Sequence, residues 1–113
     1  MTVFGNGEQT RDFVYAGDIA QAAAKALTLK GYNIINISTG KETSLNNLLN
    51  AFKSACGHEL TVNYAPARSG DIFRSVLSNK KLEALLGFVP QMDIEHGIPK
   101  TYNDYLARRK EGL

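Results

Sequence analysis

The stretch "GNGEQTRDFVY", residues 5–15, places a glycine-rich turn, an amide and a guanidinium directly before an apolar run. Apolar and polar positions alternate in "RDFVYA" (11–16), which predicts a strand. Asp18 follows as the expected N-cap of a helix, and "IAQAAAKALTL" continues it with apolar residues at helical spacing. A strand that leads straight into a helix is typical of the α/β class.

Downstream segments continue this alternation of strands and helices. The apolar run "NIINIS" (33–38) predicts a strand buried on both faces of a parallel sheet. Pro99 predicts a kink or a restart in the last helix, and the tail 107–113 is expected to be frayed and solvated. The other predicted elements are a helix capped by Ser44 and closed by Gly57, a strand over 60–65, a helix over 79–86 and a last helix capped by Asp93.

The predicted order, β–β–α–β–α–β–α–α, divides the single α/β chain 1–113 into two parts. Residues from about 11 to 38 form one β–α–β unit like the end of a doubly wound sheet, and those from about 39 to 113 form a small α/β lobe. One unit cannot cover both faces of a sheet, so the strand at 33–38 is expected to leave apolar surface that self-association would cover. "TVF" at 2–4 looks like a strand cut from a longer one, which predicts a truncated chain.

The composition fits one globular domain with a core: 113 residues, 43% hydrophobic and 21% charged, with a net charge of +2. The charges are spread along the chain rather than clustered, so a nucleic-acid partner is not expected. No apolar run approaches the roughly 18 residues of a membrane span, so no membrane partner is expected. The lone Cys56 allows no intramolecular disulfide and favours a reducing cytoplasm.

Arg11, Arg68 and Asp71 are the first candidates for ligand binding. The planar fork of an arginine matches a pair of phosphate oxygens, and an aspartate can accept hydrogen bonds from vicinal hydroxyls. A loop such as "RSGD" (68–71) could turn both side chains toward a ribonucleotide diphosphate. Taken alone the motif is weak, and a surface ion pair between Arg68 and Asp71 is the better interpretation.

The glycine turn at 5–7 and Gln9 are equally ambiguous when taken alone. Such a turn before a strand is usually a simple hairpin. Two glycines also fall short of a dinucleotide fingerprint, which needs a third glycine and a preceding strand.

The three stretches gain weight because they occur together and in order. "TVFGNGEQTRDFVYAGDIAQA" (2–22), "YNIINISTGKETSLNNL" (32–48) and "ARSGDIFRSVLSNKKLEALLGFVP" (67–90) strongly resemble the C-terminal part of the NAD-dependent nucleotide-sugar epimerases and dehydratases. These enzymes belong to the extended short-chain dehydrogenases, and the likeness is closest to UDP-glucose 4-epimerases. The resemblance covers about 2–105. It implies the C-terminal half of that fold, with the N-terminal Rossmann part absent.

The resemblance also implies roles for individual residues around a UDP-sugar or another nucleoside diphosphate sugar. Thr2 and Phe4 correspond to the segment that meets the nucleobase, and Gln9 to an orienting residue. Arg11 and Arg68 correspond to the family's diphosphate contacts, and Asp71 corresponds to its ribose contact. Ser75 corresponds to a small side chain that leaves room beside the sugar. The glycine turn then swings a loop over the nucleotide and is not itself a phosphate cradle.

The parts of the family that perform the reaction do not occur in these 113 residues. There is no G-x-x-G-x-x-G for NAD, and none of the five tyrosines is followed four residues later by lysine. No catalytic residue, metal ligand or NAD contact is therefore expected in this chain, although the parent family uses NAD. Three interpretations stay open: the substrate-binding part of an epimerase, a free-standing nucleotide-binding module, or a remnant interaction protein.

Overall fold

This computed structural model describes residues 1–110 of the chain. Within them it contains two short strand pairs and four helices, joined by turns and loops. In chain order the elements are β1 (Thr2–Phe4), β2 (Thr10–Arg11), α1 (Ala16–Ala26), β3 (Thr43–Ser44), α2 (Leu45–Cys56), β4 (Asn63–Ala65), α3 (Lys80–Leu86) and α4 (Ile94–Lys110).

The two strand pairs join segments that are far apart in sequence. β1 runs parallel to β4, with Val3 opposite Tyr64, and β2 runs antiparallel to β3, with Arg11 opposite Thr43. Val3 is only 5% exposed. Since the turn at 5–9 connects β1 to β2, it holds the two small sheets next to each other.

The best-buried apolar contact joins α1 to α3. Ala22 on α1 and Leu82 on α3 are fully buried. Ser38 is buried with them, and its hydroxyl donates to the Leu77 carbonyl at 3.0 Å while the Asn79 amide donates to the Ser38 carbonyl at 3.2 Å. These bonds satisfy the polar groups that burial would otherwise leave unpaired. A second packing contact joins α2 to α4.

The strand predicted over 33–38 is wrong, because the structure assigns no strand there. A strand needs a neighbour to complete its hydrogen bonds, and none of the described strands lies beside this segment. The alternation of the side chains survives. Ile35 and Ile37 line a cavity with residues of α1 and α3, whereas Ile34 is 66% exposed. Burial on both faces, as predicted for a parallel sheet, is therefore not observed.

The strand predicted over 11–16 shortens to its first residue, since β2 ends at Arg11. Asp12 makes the next connection with its side chain instead. Its carboxylate accepts from the Thr39 and Gly40 backbone N–H groups, at 3.0 and 2.9 Å, and from the Thr39 hydroxyl at 2.6 Å. Gly40 has a φ of 71°, a left-handed conformation that brings its N–H group into line with the carboxylate.

The predicted ends of α2 are confirmed. The Ser44 hydroxyl accepts from the Asn47 N–H group, and Gly57 closes the helix in the left-handed conformation. The helix predicted over 79–86 is found as α3, and Asp93 accepts from the His96 N–H group at 2.9 Å as a cap would.

Asp18 was wrongly predicted as a cap. α1 begins at Ala16, after Tyr15, and Asp18 lies inside its first turn, where it is 5% exposed. Its Oδ2 atom accepts from the backbone N–H groups of Gln91 and Met92, at 3.1 and 2.9 Å. The carboxylate therefore fastens the segment before α4 to α1, a long-range role that local sequence does not reveal.

The last helix does not restart at Pro99, because α4 runs continuously from Ile94 to Lys110. The expectation of a frayed tail is wrong for 107–110, which are helical and exposed, while 111–113 lie outside the described residues. None of the helices in the described part is long and apolar enough to cross a membrane.

Large apolar side chains remain uncovered in this structure. The Cα radius of gyration is 16.6 Å, compared with about 13 Å for a compact domain of about 100 residues. Leu27, Tyr32 and Ile34 are 87%, 88% and 66% exposed. The described residues therefore enclose only a small core around α1 and α3.

We expect Asp18→Ala to destabilise the chain by about 1.5–3 kcal/mol, because it leaves two backbone N–H groups without their charged acceptor. Urea unfolding followed by circular dichroism measures the loss. Asp104→Ala, which removes an exposed carboxylate that pairs with Arg108 on α4, is the control and should cost about 0.5 kcal/mol or less. Equal losses in the two variants would contradict the role assigned to Asp18.

Candidate functional site

A cavity of about 320 Å³ opens between β1, the root of β2 and α2. Its apolar side is formed by Leu45, Leu48, Leu49 and Phe52 of α2. The opposite side carries expected site residues from three separate segments: Thr2, Phe4, Gln9, Arg11 and Asp71. The fold thus brings together residues that are up to 69 positions apart in the sequence. An apolar wall with a few convergent polar groups is typical of small-molecule sites.

Arg68 lies at the edge of this cavity, where its side chain stacks on Phe4, one of the residues that line the cavity. Its guanidinium carbon is 3.6 Å from the centroid of the Phe4 ring, a cation–π contact. The surface ion pair expected between Arg68 and Asp71 is not among the ion pairs of residues 1–110. Instead, the Asp71 backbone N–H group donates to the Arg68 carbonyl at 3.3 Å, and Gly70 has a φ of 84°. The "RSGD" segment is therefore a tight turn, with Arg68 stacked on Phe4 and Asp71 in the cavity lining.

The glycine turn is docked on the first turn of α2. The backbone N–H groups of Leu45 and Asn46 donate to the carbonyls of Gln9 and Gly7, at 3.2 and 3.0 Å. With Ser44 accepting from the third N–H group, the exposed donors of this helix N-terminus are satisfied by the protein itself. The N–H groups of Leu45, Asn46 and Asn47 are therefore not open to an anion, and the expectation that the turn is not a phosphate cradle stays a prediction.

The side chain of Asn46 completes this docking. Its amide nitrogen donates to the Asn6 carbonyl at 3.1 Å and to the Glu8 carboxylate, and its oxygen accepts from the Tyr64 hydroxyl at 3.1 Å. Gly7 lies buried against this amide with a φ of 78°. These contacts hold the glycine turn in one position against α2. Because β2 follows the turn directly, they also fix where β2 starts.

Gln9 and Arg11 are held by backbone carbonyls inside the same region. The Gln9 amide nitrogen donates to the Phe4 carbonyl at 2.7 Å, and an Arg11 guanidinium nitrogen donates to the Thr10 carbonyl at 2.7 Å. Among the described residues, no further hydrogen bond occupies the amide oxygen of Gln9 or the other guanidinium donors of Arg11. The Gln9 side chain fastens itself to the end of β1, and its expected orienting role stays a prediction.

Ser75 is the expected residue that the structure does not place with the others. It is half-buried and is not part of the cavity lining. Its expected role beside the sugar stays a prediction.

Glu42 was not singled out from the sequence, although it connects the segments that carry the site. It forms two hydrogen bonds with Arg74, at 2.7 and 3.0 Å, and accepts from the Thr10 hydroxyl at 2.8 Å. The hydrogen bonds from Arg74 and then from Thr10 lower the pKa of the Glu42 carboxyl below its ordinary value. The only sequence signal was a carboxylate next to a β-prone Thr-Ser pair, which has no distinctive meaning.

Comparison with known proteins identifies the family. A sequence model described as GDP-mannose 4,6 dehydratase matches residues 1–101. The chain belongs to the GDP-mannose 4,6 dehydratase family. The expected resemblance to the epimerases and dehydratases that act on nucleotide sugars is thereby confirmed.

Three similar proteins illustrate the match. A Methanocaldococcus jannaschii protein, provisionally named a UDP-glucose 4-epimerase, is 45% identical over 101 residues, which cover 89% of this chain and 32% of the relative. The UDP-glucose 4-epimerase of Thermotoga maritima, solved with UDP-glucose, superposes with a TM-score of 0.84 at 31% identity, covering 94% of this chain and 35% of that one. The Thermus thermophilus UDP-glucose 4-epimerase, solved with NAD, superposes with a TM-score of 0.82 at 37% identity. This match covers 91% of this chain and 34% of that one.

The chain spans about a third of the length of these relatives. The expected fold class, the C-terminal part of an epimerase or dehydratase, is confirmed by these superpositions. The family's whole activity belongs to proteins about three times as long, and these residues make up one part of such a protein.

We expect Gly7→Ala to cost about 2 kcal/mol or more in this family member. An added Cβ would overlap the Asn46 amide and would strain a left-handed residue. Gly57→Ala is the matched control, since Gly57 has a φ of 70° but no atom within 4 Å of the added Cβ. It should show the strain alone, about 1 kcal/mol. Thermal and urea unfolding compare the two, and equal losses would show that Asn46 does not restrict the turn.

Proposed function

We propose that the chain is the nucleotide-binding part of a UDP-sugar 4-epimerase. The observation that carries the proposal is the single cavity shared by Thr2, Phe4, Gln9, Arg11 and Asp71. A UDP-glucose 4-epimerase that superposes on this chain was solved with UDP-glucose. The cavity, its apolar wall and its charges match the chemistry of a nucleoside diphosphate.

We assign the nucleobase, the ribose and the diphosphate of the ligand to different residues of the site. The nucleobase packs beside Thr2 and Phe4 against the leucines of α2, where apolar burial favours a flat ring. Asp71 accepts hydrogen bonds from the ribose hydroxyls. Arg11 and Arg68 bind the diphosphate, and Arg68 reaches it by leaving the Phe4 ring. An exposed cation–π contact is worth about 0.5–1 kcal/mol, less than a hydrogen bond between charged groups, so the exchange is favourable.

NAD does not fit the residues present. Neither the glycine fingerprint nor a tyrosine–lysine pair at four-residue spacing occurs in the sequence. No reaction step of these residues therefore passes through NAD. Their remaining contribution is to bind and orient a nucleotide sugar.

UDP should bind the 113-residue chain, and loss of either proposed diphosphate arginine should weaken it. We expect Arg11→Ala to raise the Kd about ten- to a hundredfold, since it removes a hydrogen bond between charged groups worth about 1.5–3 kcal/mol. Arg68→Ala should raise the Kd less, about two- to seventyfold, because binding costs Arg68 its contact with the Phe4 ring. Calorimetric titration with UDP measures this. Arg108→Ala, on the exposed face of α4 and paired with Asp104, is the control. An unchanged Kd in both site variants would disprove the site assignment.

Epimerase activity is not expected from these 113 residues alone. The purified chain, supplied with UDP-glucose and NAD, should form no UDP-galactose above a heat-treated control. Together with the UDP titration, this assay tests two of the interpretations. Turnover would contradict the inactive-part interpretation, and UDP binding without turnover would exclude a remnant that binds nothing.

Self-association through the exposed apolar side chains of segment 27–34 is the proposed state of the isolated chain. Leu27, Tyr32 and Ile34 are largely exposed within eight residues of each other, and exposed apolar side chains that form one patch favour association. Sedimentation velocity should show a dimer or larger species that Ile34→Lys shifts toward monomer. Tyr105→Lys, at an exposed aromatic on α4, should not do so. A monomer at all concentrations would contradict the proposal.

A further inference from the structure

Three segments of the chain meet at the side chain of Glu42. Its Oε1 atom accepts from a terminal nitrogen of Arg74 at 2.7 Å, and its Oε2 atom accepts from Arg74 Nε at 3.0 Å and from the Thr10 hydroxyl at 2.8 Å. The Glu42 side chain is 24% exposed and that of Arg74 is 70% exposed. Paired, parallel hydrogen bonds of this kind fix the direction of an arginine as well as its position.

Both partners of Glu42 are neighbours of residues in the proposed site. Thr10 immediately precedes Arg11 on β2, and Arg74 lies three residues after Asp71. The Thr10 backbone N–H group also donates to the Phe73 carbonyl at 2.8 Å. Neither Glu42 nor Arg74 lines the cavity itself. The pair is thus placed to act on a ligand through its chain neighbours Arg11 and Asp71, which do line the cavity.

We infer that Glu42 and Arg74 are positioning residues, whose ion pair holds the 71–75 segment against β2 so that Arg11 and Asp71 lie on the same cavity. This inference rests on the proposed function and adds a new pair of residues to it. The pair orders the binding surface before the nucleotide arrives, which lowers the entropic cost of binding.

The packing of the 71–75 segment explains why an ion pair is needed there. Ile72 and Phe73 are 63% and 58% exposed, so apolar burial contributes little to holding the segment in place. An isolated surface ion pair contributes little to folding. Glu42 differs because a single, mostly covered carboxylate binds two separate segments. Breaking its pair with Arg74 leaves the Thr10–Phe73 backbone bond as the remaining hydrogen bond between β2 and the 71–75 segment in the described residues.

The first test measures UDP affinity of the 113-residue chain by calorimetry. Arg74→Ala and Glu42→Gln should raise the Kd about two- to thirtyfold, the range for residues that act through others. Arg108→Ala is the matched control, because Arg108 is 67% exposed and also pairs with a carboxylate, Asp104, at 2.8 Å. It should change the Kd less than twofold. Equal affinity in Arg74→Ala and Arg108→Ala would overturn the inference.

A charge exchange distinguishes positioning from a direct attraction between Arg74 and the ligand. The double variant Glu42→Arg with Arg74→Glu rebuilds the ion pair with its direction reversed. It should recover at least part of the affinity lost in Arg74→Ala. If Arg74 instead binds the diphosphate directly, the double variant will bind UDP more weakly than Arg74→Ala and more weakly than Glu42→Gln. The positioning role would then be wrong.

Amide hydrogen exchange tests the positional role without any ligand. In Arg74→Ala the Thr10 amide, which bonds to Phe73, should exchange at least about threefold faster, while the amide of buried Ala22, in the interior of α1, keeps its rate. A uniform acceleration of both amides would indicate general destabilisation and would overturn the inference, as would an unchanged Thr10 rate. If the unaltered chain binds no UDP, the proposed function fails, and the Thr10 rate still decides whether Glu42 and Arg74 position the segment.

Discussion

The docking of the glycine turn on the N-terminus of α2 is the constraint on which the rest of the site depends. Two carbonyls of the turn, from Gly7 and Gln9, take the helix N–H groups that would otherwise attract an anion. The amide of Asn46 then leaves no room for a side chain at Gly7. Because the turn is fixed there, β2 begins at a defined point and Arg11 faces the cavity. A glycine-rich turn beside a helix N-terminus suggests phosphate binding, yet in this chain it serves to place an arginine.

Polar side chains, rather than a continuous sheet, connect the distant segments of this chain. Asp12 holds the 39–40 turn, Asp18 holds 91–92, and Glu42 holds both Thr10 and Arg74. The strand pairs themselves are only two or three residues long. Each carboxylate replaces the ladder hydrogen bonds that a larger sheet would supply. Substitutions at these acidic positions should therefore affect the geometry of segments that are distant in the sequence.

Local sequence predicted what local physics determines. The cap of α2 at Ser44, its left-handed end at Gly57 and the helix over 79–86 follow from short-range spacing and were found. The strand over 33–38 failed because its hydrogen bonds need a neighbour that does not occur among the described strands. The prediction for Asp18 was wrong because a carboxylate near the start of a helix can either cap that helix or bind a distant backbone group. The tertiary contact with Gln91 shows that Asp18 does the second.

The site shows the same division between local and long-range information. Arg68 and Asp71 were named from a four-residue motif, but the motif could not show that Arg68 contacts the Phe4 ring, 64 positions away, instead of pairing with Asp71. Glu42 could not have been named, since its importance comes from Thr10 and Arg74, which lie 32 residues away on either side. The resemblance to a family supplied roles that spacing alone could not, and it supplied them only for residues expected to contact the ligand.

A part of an enzyme that binds the nucleotide still contributes to the reaction of the whole. The UDP portion of a UDP-sugar is not altered when the configuration at a sugar carbon changes, so the energy of binding it is available to hold the sugar in a reactive position. Weakening that hold lowers the fraction of bound sugars that are correctly placed, which lowers kcat, and it also raises KM. In a full-length relative, the residue equivalent to Arg11 should therefore affect both constants although it lies far from the reacting carbon. An effect confined to KM would mean that the diphosphate contact binds the substrate and transition state equally.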